Sequence, residues 1–263
     1  MYAFEYARPS SIAEASALLK ANPEAKLLAG GQTLLPAMKL RLASPSDLVD
    51  LGGLADMRGI AVKDGALVIG AMTTHAAIAE SADVAATVPG FAAVAEGIGD
   101  PHVRNRGTIG GSLANNDPSA DYPAAVLALG ASIVTNTRTL SADDFITGLF
   151  STALEDGEII TAISIPAPQS FIYVKMPNPA SRFALVGVAV ARAAGGVRVA
   201  VTGAGGDGAY RWSEAETALA ANFSPAALDG IKADPAMMIA DLHAAADYRA
   251  HLVGVIARRA VAG

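Results

Sequence analysis

Two glycine pairs carry the chemistry that this sequence suggests first. One lies in Ala29-Gly30-Gly31-Gln32-Thr33 and the other in Thr108-Ile109-Gly110-Gly111-Ser112. Each follows an apolar or strand-like stretch and ends in a hydroxyl residue. A Gly-Gly turn lets the backbone approach a ligand closely and aim several N–H groups at an anion. One such turn means little. Two of them, about 80 residues apart, suggest one extended ligand held between two lobes, and a dinucleotide diphosphate fits that description.

The second pair sits in a long polar stretch, Asp100 to Tyr122, inside a chain that is 52% hydrophobic. Two readings stand for it. It is an exposed loop, or it is a ligand cradle in which glycine N–H groups take phosphates, hydroxyls and amides add donors, and Asp121 accepts from sugar hydroxyls. A third glycine cluster, Gly203-Ala204-Gly205-Gly206-Asp207-Gly208, matches the GxGxxG fingerprint of dinucleotide folds by letter and follows the strand-like Val197 to Thr202. That fingerprint requires a helix packed directly behind the turn and a continuing parallel β-α-β unit. Here the bulky Tyr210-Arg211-Trp212 intervenes and only helical patterns follow, so a loop between strand and helix is the better reading.

Composition removes several function classes. The net charge is −6 with no long basic run, which argues against nucleic acid as the main partner. With no cysteine, this chain supplies no thiolate nucleophile, disulfide or cysteine-ligated cluster. The four histidines, His75, His102, His243 and His251, are scattered without metal-ligand spacing, so no metal site is expected and metal redox chemistry belongs on another subunit. No apolar run approaches the ~18–20 residues of a membrane span. The first residues show no basic-then-apolar leader, so a soluble cytoplasmic protein is the expectation.

The elements that position these residues can be read from pattern. Ser11-Ile12-Ala13-Glu14 opens a helix as a capping box. A strand over 26–29 leads into the first glycine turn, a helix follows to about Leu42, and a strand runs over 48–51. These make a small β-α-β-α-β lobe over residues 1–55. A second lobe, 56–166, begins with a hairpin around Lys63-Asp64-Gly65-Ala66. It continues with helices over 75–80, 90–98 and 123–129, and with strands over 131–135, 138–140 and 159–165. Pro166-Ala167-Pro168 is the best boundary. Beyond it, residues 167–263 read as an α+β domain. Its strands lie at 171–176, 184–193 and 197–202, and its helices at 213–220, 225–231, 237–246 and 248–260.

At this point the motifs become recognisable. Ala29 to Thr33 with Leu34-Leu35-Pro36-Ala37-Met38-Lys39-Leu40-Arg41 resembles the first motif of the FAD-binding medium subunit of molybdenum hydroxylases of the carbon monoxide dehydrogenase type. Xanthine dehydrogenase carries a related FAD domain. Asp100-Pro101, Val103-Arg104-Asn105-Arg106-Gly107 and Thr108 to Ser112 resemble the second motif. Ile69-Gly70-Ala71-Met72-Thr73-Thr74-His75 and Ala180-Ser181-Arg182-Phe183-Ala184 also resemble family segments, in order along nearly the whole chain. Family members often carry histidine within the stretch that is Ala114-Asn115-Asn116-Asp117 here, a departure that leaves phosphate binding untouched and bears on the flavin's surroundings.

The resemblance implies an α+β fold: a two-lobed vanillyl-alcohol-oxidase-like (PCMH-type) FAD-binding domain plus a C-terminal α+β domain. It implies that Ala29, Gly30, Gly31, Gln32 and Thr33, with Thr108, Ile109, Gly110, Gly111 and Ser112, wrap the FAD diphosphate. Asp121 would meet the ribityl or neighbouring hydroxyls. Ile98 and Ile160 match positions beside the flavin, with plain core packing as the competing reading. Lys175 matches a lysine near the flavin ring, where a cation stabilises the reduced anionic flavin, with a solvated strand lysine as the competing reading. The implied role is electron transfer from iron–sulfur clusters on a small subunit, through FAD, to an external acceptor, with molybdopterin on a large subunit. Two other functions remain open: a stand-alone FAD-dependent oxidoreductase acting on a small molecule, and a non-catalytic scaffold subunit.

Overall fold

The computed structural model describes residues 1–263. No helix in it is long and apolar enough to cross a membrane. The chain begins with β1 (Glu5–Ala7), α1 (Ile12–Ala21), β2 (Lys26–Leu28), α2 (Leu34–Lys39) and β3 (Asp47–Asp50). The strands form a parallel sheet in the order β1-β3-β2. Ser11 caps α1 by accepting from the Glu14 amide at 3.2 Å, and Glu14 reaches back to the amide of Ser10 rather than that of Ser11. Helix α2 stops at Lys39, short of the expected Leu42. Arg41 takes a left-handed φ of 61°, and the Leu42 amide turns back to the Ala37 carbonyl at 2.8 Å, which closes the helix end.

The middle of the chain contains β4 (Ile60–Lys63), β5 (Ala66–Gly70), α3 (His75–Ala79), α4 (Ala82–Thr87), α5 (Pro89–Glu96), α6 (Pro101–Arg104), α7 (Ile109–Asn115) and α8 (Asp121–Leu129). After these come β6 (Ser132–Thr135), β7 (Thr139–Ser141), α9 (Ala142–Phe145), β8 (Ile146–Gly148), β9 (Ser151–Thr152) and β10 (Ile160–Pro166). Five strands make an antiparallel sheet in the order β4-β5-β10-β6-β7. The expected hairpin forms between β4 and β5: Asp64 and Gly65 both take positive φ, 50° and 77°, the pair of conformations that a two-residue turn between twisted strands requires. Two expectations are corrected here. The second glycine pair is not a turn but the first turn of α7, and the polar stretch around it is largely helical (α6, α7 and the start of α8) rather than loop.

The last third holds β11 (Ser170–Pro177), β12 (Ala184–Ala193), β13 (Gly196–Thr202), β14 (Tyr210–Arg211), α10 (Ser213–Ala221) and α11 (Ala246–Ala262). The strands form one antiparallel sheet in chain order. Its two faces differ by residue size. Val186, Val188 and Val190 of β12 and Val199 and Val201 of β13 pack with Trp212, Leu219, Val253 and Ile256 under α10 and α11. Ala189, Ala191 and Ala200 face the other way, against Ala124, Ala125 and Ala128 of α8. Small side chains on both partners let the helix approach the sheet closely, and this accounts for some of the alanine richness. The proline boundary at 166–168 separates two sheets; one buried cluster crosses it, running from Ala15 through α8 to Ala209, while a second, under α10 and α11, lies wholly beyond it. The helix expected over 237–246 does not form. Pro235–Met237 is a 3-10 turn, and Asp241 Oδ1 accepts from the amides of His243 and Ala244, holding a turn where the helix would lie. The helix expected over 225–231 shortens to a 3-10 turn, Pro225–Leu228.

Candidate functional site

The first glycine segment links β2 to α2 and leaves its amides open. The N–H groups of Gly30, Gly31, Gln32 and Thr33 find no acceptor within the protein, and Thr33 begins α2 without a side-chain cap bond. Gly31 has a left-handed φ of 74°. Such a run of unpaired amides at a helix start is an anion-binding arrangement. Gly30 serves packing as well: a Cβ built on it lies 2.2 Å from the Arg106 carbonyl oxygen and 2.7 Å from Gly107 Cα. The segment therefore lies directly against the backbone that precedes the second glycine pair. Gln32 and Thr33 side chains are exposed.

The second segment is arranged in the opposite way. Thr108 caps α7, its hydroxyl accepting from the Gly111 amide at 3.1 Å. Ile109 N donates to the Thr73 carbonyl, Gly110 N to the Ala71 carbonyl and Ser112 N to the Thr108 carbonyl. None of these four N–H groups is open to a ligand. The glycines act through their missing side chains. A Cβ on Gly110 would sit 2.6 Å from Ala71 Cβ, and one on Gly111 would sit 2.9 Å from Thr108 Oγ1 and 3.5 Å from Ala29 Cβ. Ile109 is fully buried beneath the segment. What remains for a ligand is the amide of Thr108 and that of Thr74, its partner in an isolated antiparallel bridge, neither with a protein acceptor.

Between the segments lies a cleft of about 250 Å³ bordered by Ala29, Gly30, Thr74 and Thr108. Its rim carries Arg8, Arg58 and Arg106 against one carboxylate, Asp50, which accepts from the Tyr6 hydroxyl at 2.5 Å. The local charge is thus positive in a chain that is acidic overall. Arg8 and Arg58 escaped the sequence reading because neither belongs to a motif; the pairing of β1 with β3 brings Arg8 beside Asp50, and Arg58 Nη2 reaches the Gly52 carbonyl just after β3 at 3.4 Å.

The remaining candidates form a second group. Lys175 on β11 donates to Asp121 Oδ2 at 3.0 Å and to the Gly97 carbonyl at 2.9 Å, next to Ile98. The other Asp121 oxygen accepts from the Tyr173 hydroxyl. Burial pushes the Asp121 carboxyl up from its usual range, while the Lys175 charge and the Tyr173 hydroxyl pull it back. Lys175 is thus a paired lysine with its side chain only 12% exposed, not a solvated strand lysine. Ile98 is partly buried, and its carbonyl accepts from Arg104 Nη1 at 3.1 Å. Ile160 is 5% exposed and packs in the main core. Tyr173 was missed in the sequence, where it reads as one more β-forming residue.

His75 is buried, and burial pushes its imidazole down to about 4, so it is neutral at physiological pH. Its amide donates to the Gly107 carbonyl at 3.0 Å and its ring lies against Gly107, behind the cleft. His102 is exposed on α6. The GxGxxG segment is no phosphate cradle. The amides of Gly203, Gly206 and Gly208 are bonded to the Pro118, Met237 and Gly205 carbonyls, and the antiparallel β14 follows.

Comparison with known proteins gives the chain's family. Residues 2–168 match the family described as the FAD binding domain in molybdopterin dehydrogenase. The carbon monoxide dehydrogenase medium chain of Hydrogenophaga pseudoflava is 37% identical over 98% of this chain and 96% of that one. The nicotine 6-hydroxylase medium subunit of Paenarthrobacter nicotinovorans shows the same identity and coverage. Among solved structures, carbon monoxide dehydrogenase from Hydrogenophaga pseudoflava superposes with a TM-score of 0.91 at 37% identity, covering 99% of this chain and 96% of that one. Quinoline 2-oxidoreductase from Pseudomonas putida 86 superposes with 0.88 at 31% identity, over 99% and 96%. By family match, identity and fold together, this chain belongs to the family of FAD-binding domains of molybdopterin dehydrogenases.

Proposed function

We propose that this chain is the FAD-carrying, electron-transfer subunit of a molybdenum hydroxylase. In this reading an iron–sulfur small subunit delivers electrons from a molybdopterin large subunit, and FAD on this chain passes them to an external acceptor. The observation that carries the reading is the row of four open amides at Gly30 to Thr33, which starts at the edge of a cleft with three guanidinium groups on its rim. A diphosphate bears two negative charges and several acceptor oxygens, and this donor set matches it.

The residues divide the work as follows. The Ala29 to Thr33 backbone takes phosphate oxygens. The Thr108 amide and the Ser112 hydroxyl close the opposite wall, while Ile109, Gly110 and Gly111 hold that wall close by packing. Asp121, Ile98, Ile160 and Lys175 belong to the flavin end, with Lys175 as the cation beside the ring. When bound, FAD supplies both hydride and single-electron chemistry, which couples a two-electron oxidation to one-electron carriers. No side-chain nucleophile or acid–base pair is needed. The same reading gives residues 1–55 and 56–166 as the two lobes of a vanillyl-alcohol-oxidase-like (PCMH-type) FAD domain, 167–263 as the C-terminal domain, and a cytoplasmic location.

The test is purification of the chain with its native partners. The expected complex is yellow, releases FAD on denaturation, and contains one cysteine-rich chain and one large molybdopterin chain. A complex whose flavin resides on another chain would overturn the reading.

A further inference from the structure

We infer that Tyr173 is the positioning residue that holds Asp121 as the carboxylate partner of Lys175, and so fixes the place of that lysine between the C-terminal sheet and the FAD domain. Tyr173 and Lys175 are two residues apart on β11 and therefore share one face of the sheet. Each contacts Asp121 at the start of α8, Tyr173 through one carboxylate oxygen and Lys175 through the other. The groups around Asp121 are few. Strand β11 brings Tyr173 and Lys175, the end of α5 brings only the Gly97 carbonyl, which bonds Lys175, and α8 itself brings Tyr122, whose hydroxyl makes no bond. An ammonium has three N–H donors. Two are engaged, and one remains.

The sheet is notched to admit the phenol. Gly187 lies opposite Lys175 in the β11–β12 register, and a Cβ built on it would fall 2.3 Å from the Tyr173 hydroxyl and 2.9 Å from Thr202 Cγ2. Glycine within a strand weakens it and marks a close approach. Here the group that approaches is the Tyr173 hydroxyl. Burial favours the protonated form of Asp121, and the hydroxyl of Tyr173 opposes it.

The proposal has a test on the chain without flavin and one with it, and the second rests on the placing of Lys175 at the flavin. Without flavin, Tyr173→Phe removes a bond that favours the ionised carboxylate, so the folded-state pKa of Asp121 rises further. A raised carboxyl pKa penalises the folded state as pH rises through it. The Tyr173→Phe deficit in Tm is therefore expected to be largest near neutral pH and to shrink on acidification. Gly187→Ala, which displaces the same hydroxyl, should reproduce that pH dependence. A deficit of equal size at all pH values would mean lost packing alone and would overturn the proposal. Should Tyr173→Phe fail to fold, the Asp121 side-chain carbon shift in the unaltered chain decides: a carboxylate at pH 7 supports the inference, and a neutral acid overturns it.

With FAD bound, Tyr173→Phe is expected to reduce the preference for reduced over oxidised flavin about tenfold, equivalent to about 30 mV in a two-electron midpoint potential. If Lys175→Met shifts the potential and Tyr173→Phe does not, the inference about Tyr173 fails alone. If neither shifts it while the pH-dependent Tm deficit is present, the role of Tyr173 stands and the placing of Lys175 at the flavin fails.

Discussion

The two glycine segments look alike as strings of letters and behave as opposites in the fold. The first leaves four consecutive amides unpaired, whereas the second has the amides of Ile109, Gly110, Gly111 and Ser112 all bonded within the protein. In the first, glycine serves a left-handed φ at Gly31 and presents donors. In the second, it lets α7 lie flush against Ala71 and Ala29. A diphosphate site thus needs two kinds of glycine, one exposing backbone to the ligand and one bringing the walls together. The Gly203 to Gly208 cluster shows a third use, a loop closed on its own carbonyls and those of its neighbours.

Substitutions can break this comparison in graded steps. Gly30→Ala carries the largest expected effect, because its Cβ meets rigid backbone on the second lobe at 2.2 Å. The prediction is at least a hundredfold loss of FAD affinity, read by titrating flavin-free protein and following flavin fluorescence. Gly110→Ala comes next. Overpacking against Ala71 costs about 1–3 kcal/mol, so Tm falls markedly, and FAD affinity falls with it as α7 shifts. Gly111→Val adds bulk beside Thr108 Oγ1 and Ala29, and it puts the N-cap bond at risk, worth about 1 kcal/mol. The expected result is about a tenfold loss of affinity with the fold retained by circular dichroism. Arg106→Gln should weaken FAD binding several-fold and flatten its salt dependence without changing Tm. Gly206→Ala is the smallest step: its Cβ meets only the Met237 carbonyl at 3.4 Å, so FAD affinity should stay within twofold. A large loss of flavin from Gly206→Ala would show that the third glycine cluster had been misjudged.

The legible parts of this sequence were those governed by local rules. Strand β12 follows from a run dominated by valine and alanine, Ser11 and Thr74 cap helices as their types suggest, and Asp64-Gly65 sets a hairpin. Helix α7 was not legible, because Gly-Gly has poor helix propensity. Tertiary acceptors, the carbonyls of Ala71 and Thr73, settle its first turn from outside the helix. The helix expected over 237–246 failed for the converse reason: Asp241 offers the backbone a turn that competes with helix. At the site, the motifs located both glycine segments and the resemblance pointed to Asp121 and Lys175. Arg8, Arg58 and Tyr173 became visible only as neighbours in space, since nothing in their spacing links them to the motifs, and the burial of His75 behind the cleft was equally a matter of packing.

The division between open and closed amides can be tested residue by residue with ¹H–¹⁵N correlation spectra of the flavin-free chain titrated with FAD. The amide protons of Gly30, Gly31, Gln32, Thr33 and Thr108 should move strongly downfield as they gain charged acceptors, while those of Gly110 and Gly111 move little. Large shifts at Gly110 and Gly111 with Gly30 to Thr33 unmoved would contradict the assignment of the first segment as the diphosphate cradle.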